Sequence, residues 1–324
     1  MKRFLSIFFQ ILLIAGIFGF LFWSAGTATD EEGKNIFAVL CEQPKRWHLL
    51  AAAFMAQLFA VSLTFIRWRW LLLTLGLQCS YREAFRFGFV GLMLNLAPLG
   101  IVGGDAVKAV LIAQKNPDYK SQAVASVFID RFVGLLVMFI VGAILICYTG
   151  FYAHAKLNIV TQTLADLVFI FTAVGILGTG IVFLPFFAKG QFERLIEKIP
   201  LCGLLVSKVV HSLLLYRNHK WCLLQSCFLT VAVHLLFGGS LYWVAAALFP
   251  SVPDLITHAM LHNVTNVTSM IPLAAGPYEL VLEQLYKLYG MKVGMGLIVS
   301  LMFRLITIFV AVAGIIYYIA GKRT

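Results

Sequence analysis

Residues 122–149 read QAVASVFIDRFVGLLVMFIVGAILICYT, an apolar run that contains no charged residue after Arg131. Because an α-helix rises 1.5 Å per residue, about 20 such residues cross a hydrocarbon core roughly 30 Å thick. Similar runs recur along the whole chain. They predict six membrane-spanning helices, at residues 4–24, 47–66, 122–149, 163–187, 222–249 and 293–320.

The composition of the chain fits the same class. Hydrophobic residues make up 61% of the 324 positions and charged residues 12%, and the mean hydropathy is +0.93. Water-soluble globular proteins lie far from these values, so the composition excludes them. We predict a single all-α integral membrane domain over residues 1–324, and we expect no soluble domain large enough to hold a separate enzyme.

Lysine and arginine residues determine the predicted orientation, because those beside spans are retained on the cytoplasmic side. With six crossings, most of the 25 cations fall on one side, including Lys2, Arg3, Lys322 and Arg323. Both termini are therefore predicted to be cytoplasmic, in the inner membrane of a prokaryote. An anionic inner leaflet accounts for the net charge of +11, so no nucleic acid is predicted as a partner. The basic and apolar segment 188–221 is predicted to lie at the cytoplasmic interface.

Two apolar stretches, residues 85–114 and 258–289, are interrupted by proline and glycine and do not fit simple spans. They contain NLAPLGIVGGDAVK at 95–108 and NVTSMIPLAAGPYE at 266–279. Irregular backbone at membrane depth is tolerated only where it is buried in protein or lines a wet cavity. We therefore predict two broken or re-entrant helical hairpins. Their helix-breaking residues are Pro98, Gly100, Pro272 and Gly276.

The two stretches share a spacing of proline, acid and arginine. In each, an acid follows the proline by seven residues, and an arginine in the next span follows the acid by 26 or 25 residues. These residues are Pro98, Asp105 and Arg131 in the first motif, 85–131, and Pro272, Glu279 and Arg304 in the second, 258–304. Three predicted crossings separate the hairpins, so they would open on opposite sides of the membrane. This pattern predicts an inverted repeat with a substrate site at the broken segments.

Ionised side chains inside a membrane cost about 2.5 to 3.5 kcal/mol on insertion scales, so they should face a polar interior and pair. Ion pairs are expected within one motif or between the two. In a functional interpretation, Arg131, Arg304 and Lys108 attract a lipid phosphate, while Asp105 and Glu279 accept a cationic headgroup or hold the arginines. In the alternative, the pairs only tie helices together, and Lys108 snorkels to the membrane surface.

Small and polar residues of the motifs also have two interpretations. The glycines either let the backbone turn and expose amides to an anion or allow close helix packing. The asparagines either contact a headgroup or satisfy a neighbouring broken helix. The residues concerned are Gly100, Gly103, Gly104 and Gly276, and Asn95 and Asn266.

Two other patterns are given structural interpretations. His258 and His262 are one helical turn apart, but no third ligand is evident nearby, which favours packing or hydrogen bonding over a metal site. The run RWRW at 67–70 falls at the predicted cytoplasmic membrane edge, where aromatic and cationic residues act as anchors.

At these motifs the chain resembles the transmembrane region of lysylphosphatidylglycerol synthases and its stand-alone relatives, which are uncharacterised or flippase-like. The resemblance covers most of the chain and is carried by Asn95, Pro98, Gly103, Gly104, Asp105, Lys108, Asp130, Arg131, Ile271, Pro272, Gly276, Glu279 and Arg304. It adds Asp130 to the candidate site. The chain departs from the family pattern at Lys108 and Asp130, where arginine and glutamate are common. In multidomain members, the membrane region is implied to move an aminoacylated phospholipid that a separate soluble domain makes, and we expect a member without that domain.

We therefore predict a flippase-like transporter that moves a phospholipid or a lipid-linked headgroup between leaflets. Its partners would be membrane lipids, either an anionic or aminoacylated phospholipid or a polyprenyl-linked lipid. No nucleotide-binding motif, metal set or catalytic constellation is visible in the sequence, so neither a cofactor nor an enzymatic activity is predicted. Two alternatives stay open: a non-transporting partner of an envelope-lipid synthase, and a membrane-embedded lipid-modifying enzyme.

Overall fold

The computed structural model describes residues 15–16, 18–27, 35–42, 44–96, 101–155, 158–183, 212–271, 273 and 275–320. The α-helices in these ranges are α1 (residues 18–27), α2 (Ile36–Glu42), α3 (Trp47–Thr74), α4 (Tyr81–Leu96), α5 (Ile101–Lys115), α6 (Lys120–Thr149), α7 (Phe151–Ala155), α8 (Ile159–Val182), α9 (Lys220–Leu248), α10 (Leu255–Thr265), α11 (Pro277–Leu288) and α12 (Met295–Ala320). The prediction of an all-α protein is confirmed.

Five helical stretches are long and apolar enough to cross a membrane. They are Trp47–Thr74, Pro117–Thr149, Ile159–Ile181, Arg217–Leu248 and Met295–Ile316. They correspond to five of the six predicted spans, so the protein is a multi-pass membrane protein. The first predicted span, residues 4–24, lies largely outside the described residues, as does most of the predicted interfacial segment 188–221. The sixth crossing stays a prediction.

Helix α3 is longer than the sequence predicts. The expected span ends at residue 66, but the helix continues to Thr74. The physical reason is that Trp68, Leu71 and Leu72 are fully buried and extend the packed face of the helix. As a result, Arg67 lies roughly 10 Å inside the end of α3, at 1.5 Å per residue.

Helices α3 and α9 form an antiparallel pair. At one end of the pair, the Arg46 N–H donates to the Ala247 carbonyl at 3.2 Å. Further along, the Ser240 hydroxyl donates to the Ala53 carbonyl at 3.1 Å, and both residues are buried. Small side chains at this contact let the two backbones approach closely, as is typical of helix packing in membranes.

Helices α4 and α5 form the first hairpin. They contain 16 and 15 residues, fewer than the roughly 20 of a full crossing. The Gln78 N–H donates to the Asn116 side chain at 2.9 Å and joins the two ends of the hairpin. Nearer the tip, a Cβ at Gly104 would overlap the Gly91 carbonyl oxygen, so the two backbones are in contact there. The chain therefore enters and leaves this hairpin at one end.

Helices α10 and α11 form the second hairpin, with 11 and 12 residues. The ring nitrogen Nε2 of His258 lies 2.7 Å from the Tyr286 hydroxyl, and Nδ1 of His262 lies 3.2 Å from the Tyr278 hydroxyl. These two contacts fix the helices in antiparallel register. Both helices are far shorter than a membrane crossing.

Of the four predicted helix-breaking residues, Gly276 lies in the described part of the chain. Gly276 precedes α11 with φ +106°, a backbone conformation that favours glycine, and it ends the irregular connection after the 3-10 helix Asn266–Met270. The helical path is thus interrupted immediately before α11. The other three, Pro98, Gly100 and Pro272, lie outside the described residues.

The two hairpins begin at opposite ends of α3. The first begins beside the C-terminal end of α3, where Arg69 Nε donates to the Cys79 carbonyl at 2.9 Å. The second follows α9, whose Ala247 is bonded to Arg46 at the N-terminal end of α3. An inverted repeat requires such opposite openings, but the symmetry of the two halves stays a prediction.

Candidate functional site

The first motif contains an ion pair between α5 and α6. Arg131 donates through Nε and through a terminal nitrogen to the two carboxylate oxygens of Asp105, the second bond measuring 3.0 Å. Such a bidentate pair fixes the orientation of both side chains. The Asp105 side chain is 14% exposed, whereas that of Arg131 is 43% exposed. Arg131 is therefore held in place and still accessible to a ligand.

Lys108 is part of the same cluster. Its ammonium group lies 3.7 Å from a carboxylate oxygen of Asp105 and 4.7 Å from the centre of the Trp68 ring, and the residue is buried. A lysine over an aromatic face gains a cation–π interaction in addition to the ion pair. The alternative in which Lys108 snorkels to the surface is wrong, because Asp105 and Trp68 hold the ammonium group inside the protein.

A second, more deeply buried pair adjoins this cluster. Arg67 Nε donates to Asp130 at 2.9 Å, and a terminal nitrogen of Arg67 donates to the Thr230 hydroxyl at 2.7 Å. Arg67 and Asp130 are each 5% exposed. The interpretation of Arg67 as a membrane-edge anchor is therefore wrong, and the cause is the continuation of α3 past residue 66.

The charges of this cluster do not balance among the residues that the structure describes. The two carboxylates of Asp105 and Asp130 face three cations, Arg67, Lys108 and Arg131. The cluster thus carries one excess positive charge, and an anion can reach it at the partly exposed Arg131. A phosphate group has the required charge, and arginine binds phosphate oxygens well.

The second motif repeats the pairing with different residues. The fully buried carboxylate of Glu279 accepts a bond from Arg304 Nε at 2.6 Å and another from the Gly276 N–H at 2.7 Å. Glu279 therefore caps α11 and orients Arg304 at the same time. The Arg304 side chain is 27% exposed. The expectation of pairing is confirmed in both motifs, and in each the pair forms within the motif.

A cavity of about 250 Å³ lies where the ends of the two hairpins meet α12. Asn95 from the first hairpin faces it, together with Asn266 and Tyr278 from the second hairpin and Arg304 and Thr307 from α12. The cavity thus brings together an arginine, two carboxamides and several hydroxyl groups. These are groups that bind a polar, anionic ligand.

The predicted asparagines and glycines have structural contacts as well as a place near this cavity. The Asn95 side-chain oxygen accepts a bond from the Gly104 N–H at 3.1 Å, which closes the first hairpin near its tip. The Asn266 amide lies 3.3 Å from the Met138 sulfur. Gly103 is half-buried in the first turn of α5. A role of these residues in ligand binding stays a prediction.

His262 contributes a buried group to the cavity. Its Nδ1 contacts Tyr278, its ring stacks on Phe237 with centroids 5.7 Å apart, and its Nε2 has no hydrogen-bond partner. An unsatisfied buried polar atom costs about 1 to 3 kcal/mol, so a ligand or a water molecule is favoured there. The hydrogen bonds of His258 and His262 agree with the structural interpretation of both residues. Within the described part of the chain, no cluster of three metal-binding side chains occurs.

Sequence reasoning missed two of the buried charges. For Arg67 the sequence indicates only that a mostly apolar stretch, interrupted by Arg69, continues through Leu73; it does not indicate the partners of Arg67. Glu283 is 3% exposed and accepts bonds from the backbone N–H groups of Gly294 and Leu297 at 2.8 and 3.1 Å, a role that the sequence does not indicate. It caps the start of α12, a long-range contact that no local pattern indicates.

The family profile described as the lysylphosphatidylglycerol synthase TM region matches residues 1–314, which include both hairpins, both ion pairs and the cavity. No curated protein and no solved structure matches the chain. The predicted resemblance is confirmed, and the chain belongs to the lysylphosphatidylglycerol synthase TM region family.

Proposed function

We propose that this protein moves the headgroup of a phospholipid between the two leaflets of a membrane. The observation that carries the proposal is the polar cavity of about 250 Å³ between the hairpins, in which Asn95 of the first motif faces Arg304 of the second. A headgroup needs a polar path across the apolar core, because its charge is costly in hydrocarbon. The family relationship supports a role in lipid synthesis or lipid movement.

The charges of the two motifs support an anionic headgroup. Arg131 and Arg304 are partly exposed, while the acids that hold them, Asp105 and Glu279, are mostly or fully buried. A phosphate could therefore bind the accessible side of either guanidinium without displacing its carboxylate. For an aminoacylated lipid, the same acids would attract the cationic amino group.

The placement of the hairpins supports an alternating-access mechanism. The hairpins begin at opposite ends of α3, as in transporters built from inverted repeats. The first begins near the cations Arg69, Lys115 and Lys120, so we assign that end to the cytoplasmic side of a prokaryotic inner membrane. In this proposal both hairpins are re-entrant, and the first opens towards the cytoplasm.

We further infer that the lipid is moved without chemical conversion. A translocase would return its lipid with unchanged mass, whereas a lipid-modifying enzyme would not. A non-transporting partner of a separate lipid synthase would give no leaflet exchange when reconstituted alone. One reconstitution experiment therefore separates the three functions.

The test is leaflet exchange in liposomes that contain the purified full chain. Labelled phosphatidylglycerol, lysylphosphatidylglycerol and phosphatidylcholine are compared in vesicles with wild type, with Arg304→Gln, and without protein. We expect exchange of an anionic or aminoacylated lipid above that of empty vesicles, and a decrease of about ten-fold or more in Arg304→Gln, because a hydrogen bond to a charged group contributes about 1.5 to 3 kcal/mol. Asp105→Asn and Arg131→Ala should also slow exchange.

Lys287→Gln is the matched control, because it removes a cation whose partner Glu283 lies outside the cavity. It should exchange lipid like wild type. Mass spectrometry of the recovered lipid checks that its mass is unchanged. Exchange equal to that of empty vesicles, from a folded preparation and with every lipid offered, would overturn the proposal.

A further inference from the structure

A second, larger cavity forms an open groove on the outside of the bundle. Its volume is about 650 Å³, and three helices enclose it: α3 through Leu58 and Ser62, α4 through Phe85 and Phe89, and α12 through Ala313 and Gly314. The remaining lining residues, Tyr81 and Arg82, begin α4. The groove is separate from the polar cavity between the hairpins.

The polarity of the groove changes along its length. Phe85, Phe89 and Leu58 make its interior apolar, whereas exposed Tyr81 and Arg82 lie at its mouth. The Arg69 guanidinium stacks over the Tyr81 ring at 3.8 Å and adds a second cation near this mouth. An apolar interior with cations at one end complements a molecule that has a hydrocarbon tail and an anionic head.

The length of the groove fits one leaflet. Its mouth lies beside Arg69, which stacks over Tyr81, and Leu58 lies 11 residues back along α3, roughly 17 Å at 1.5 Å per residue. One leaflet contributes about 15 Å of a hydrocarbon core roughly 30 Å thick. An acyl chain that enters beside Arg82 would therefore be covered along the whole depth of its leaflet.

Small residues of α12 keep the groove open. Gly314 is buried against Phe89, and a Cβ at this glycine would overlap the phenylalanine ring. The neighbouring Ala313 is exposed and lines the groove. A large side chain at position 313 would fill the space without entering the contact between α4 and α12.

A layer of apolar side chains separates the groove from the polar cavity. Phe89 belongs to both the groove and the apolar cluster with Val61, Phe65 and Val310. Phe237 packs against the same cluster and lines the polar cavity on its other side. A lipid in the groove would thus lie beside the polar cavity, one layer of side chains away.

We propose that this groove binds a phospholipid, with one acyl chain between α3, α4 and α12 and the phosphate at Arg82. The ligand is thus a molecule in which a hydrocarbon chain is joined to an anionic phosphate. It would come from the leaflet on the side of the membrane where the first hairpin begins. The site does not depend on transport. If the proposed function also holds, the groove holds a lipid next to the headgroup path.

The test is photolabelling of the full chain in phosphatidylcholine liposomes that contain phosphatidylglycerol with a diazirine in its acyl chain. Peptide mapping by mass spectrometry then compares the groove with the lipid-facing surface of α8, where Ile170, Val174 and Leu177 are exposed. We expect labelling of the groove peptides several-fold above that of α8. Ala313→Trp should remove this excess.

Ile316→Trp is the matched control, because Ile316 is 64% exposed on the same helix and lies outside the groove. It should leave the labelling unchanged, and the melting temperature of each variant in detergent checks that it is folded. Arg82→Gln should lower groove labelling, whereas Lys120→Gln, at another exposed cation, should not.

Each result decides one part of the inference. Equal labelling of groove and α8, or an excess that persists in Ala313→Trp, would overturn the site. Labelling that is unchanged in Arg82→Gln would overturn the position of the phosphate. If the wild-type protein gives no leaflet exchange but its groove is still labelled, the proposed function would be overturned and the lipid site would stand.

Discussion

At the scale of single residues, the two arginines in and beside the first motif differ in their environment. Arg67 is 5% exposed and donates hydrogen bonds to both Asp130 and Thr230. Its guanidinium therefore links α3 to α6 and α9. Arg131 is held by Asp105 but keeps an exposed side. The pair of Arg67 is thus suited to a structural role and that of Arg131 to ligand binding.

Removal of Arg67 should destabilise the protein. In Arg67→Leu, the buried Asp130 loses its main partner, and breaking a buried ion pair in this way costs about 3 to 5 kcal/mol. Unfolding in detergent, followed by melting temperature, measures the effect. Replacement of both partners, in Arg67→Leu with Asp130→Leu, should recover part of the loss because neither member of this pair is left without the other. Lys120→Leu is the control, because it removes an exposed cation and should melt like wild type. If Arg67→Leu also melts at the wild-type temperature, the structural role of Arg67 is contradicted.

At the scale of elements, the spacing of proline, acid and arginine predicted two broken segments whose acids and arginines pair, but it left open whether the pairs form within one motif or between the two. In the structure each pair forms within its motif, because Asp105 and Arg131 are in consecutive helices, as are Glu279 and Arg304. The role of Arg67 could not be predicted in the same way. It depends on the length of α3 and on Thr230 of a distant helix, and neither is encoded by a local pattern.

Close contact between α4 and α5 should make Gly104 sensitive to substitution. In Gly104→Ala, the new Cβ would overlap the Gly91 carbonyl oxygen and the Asn95 side chain, and the backbone cannot move aside without separating the helices. Overpacking of this kind costs about 1 to 3 kcal/mol. We expect a lower melting temperature. Gly178→Ala is the matched control, because nothing lies within 4 Å of a Cβ at that position of α8; similar melting of the two variants would contradict the packed hairpin.

At the scale of the whole molecule, apolar runs predicted five of the helices that could span a membrane, whereas the shapes of the cavity and the groove could not be predicted. Each is lined by residues from three or more helices, such as Phe89, Leu58 and Ala313 in the groove. Their shapes depend on how helices cross and on where glycine or alanine leaves space. A single sequence gives no direct information on either.

The whole-molecule prediction concerns the two ends of α3, which should lie on opposite sides of the membrane. Gln78 is exposed at the base of the first hairpin, and Cys41 is exposed on α2. Helix α2 packs through Ile36 beside Gly294, near the start of α12 and the base of the second hairpin. In intact cells, an impermeant maleimide should therefore label Cys41 from outside and should reach a cysteine placed by Gln78→Cys only after the membrane is opened.

Labelling from one side locates a cysteine only if Cys41 and the cysteine at position 78 react equally well with the maleimide. The comparison also requires that no other cysteine is labelled. Burial and the neighbouring Glu83 carboxylate raise the pKa of Cys79 to about 11, so this thiol stays protonated at pH 7.5 and should not compete. The remaining native cysteines are replaced by serine, and full labelling of both sites in detergent controls for reactivity. Labelling of both sites from the same side would contradict opposite openings of the hairpins and, with them, the inverted repeat on which alternating access depends.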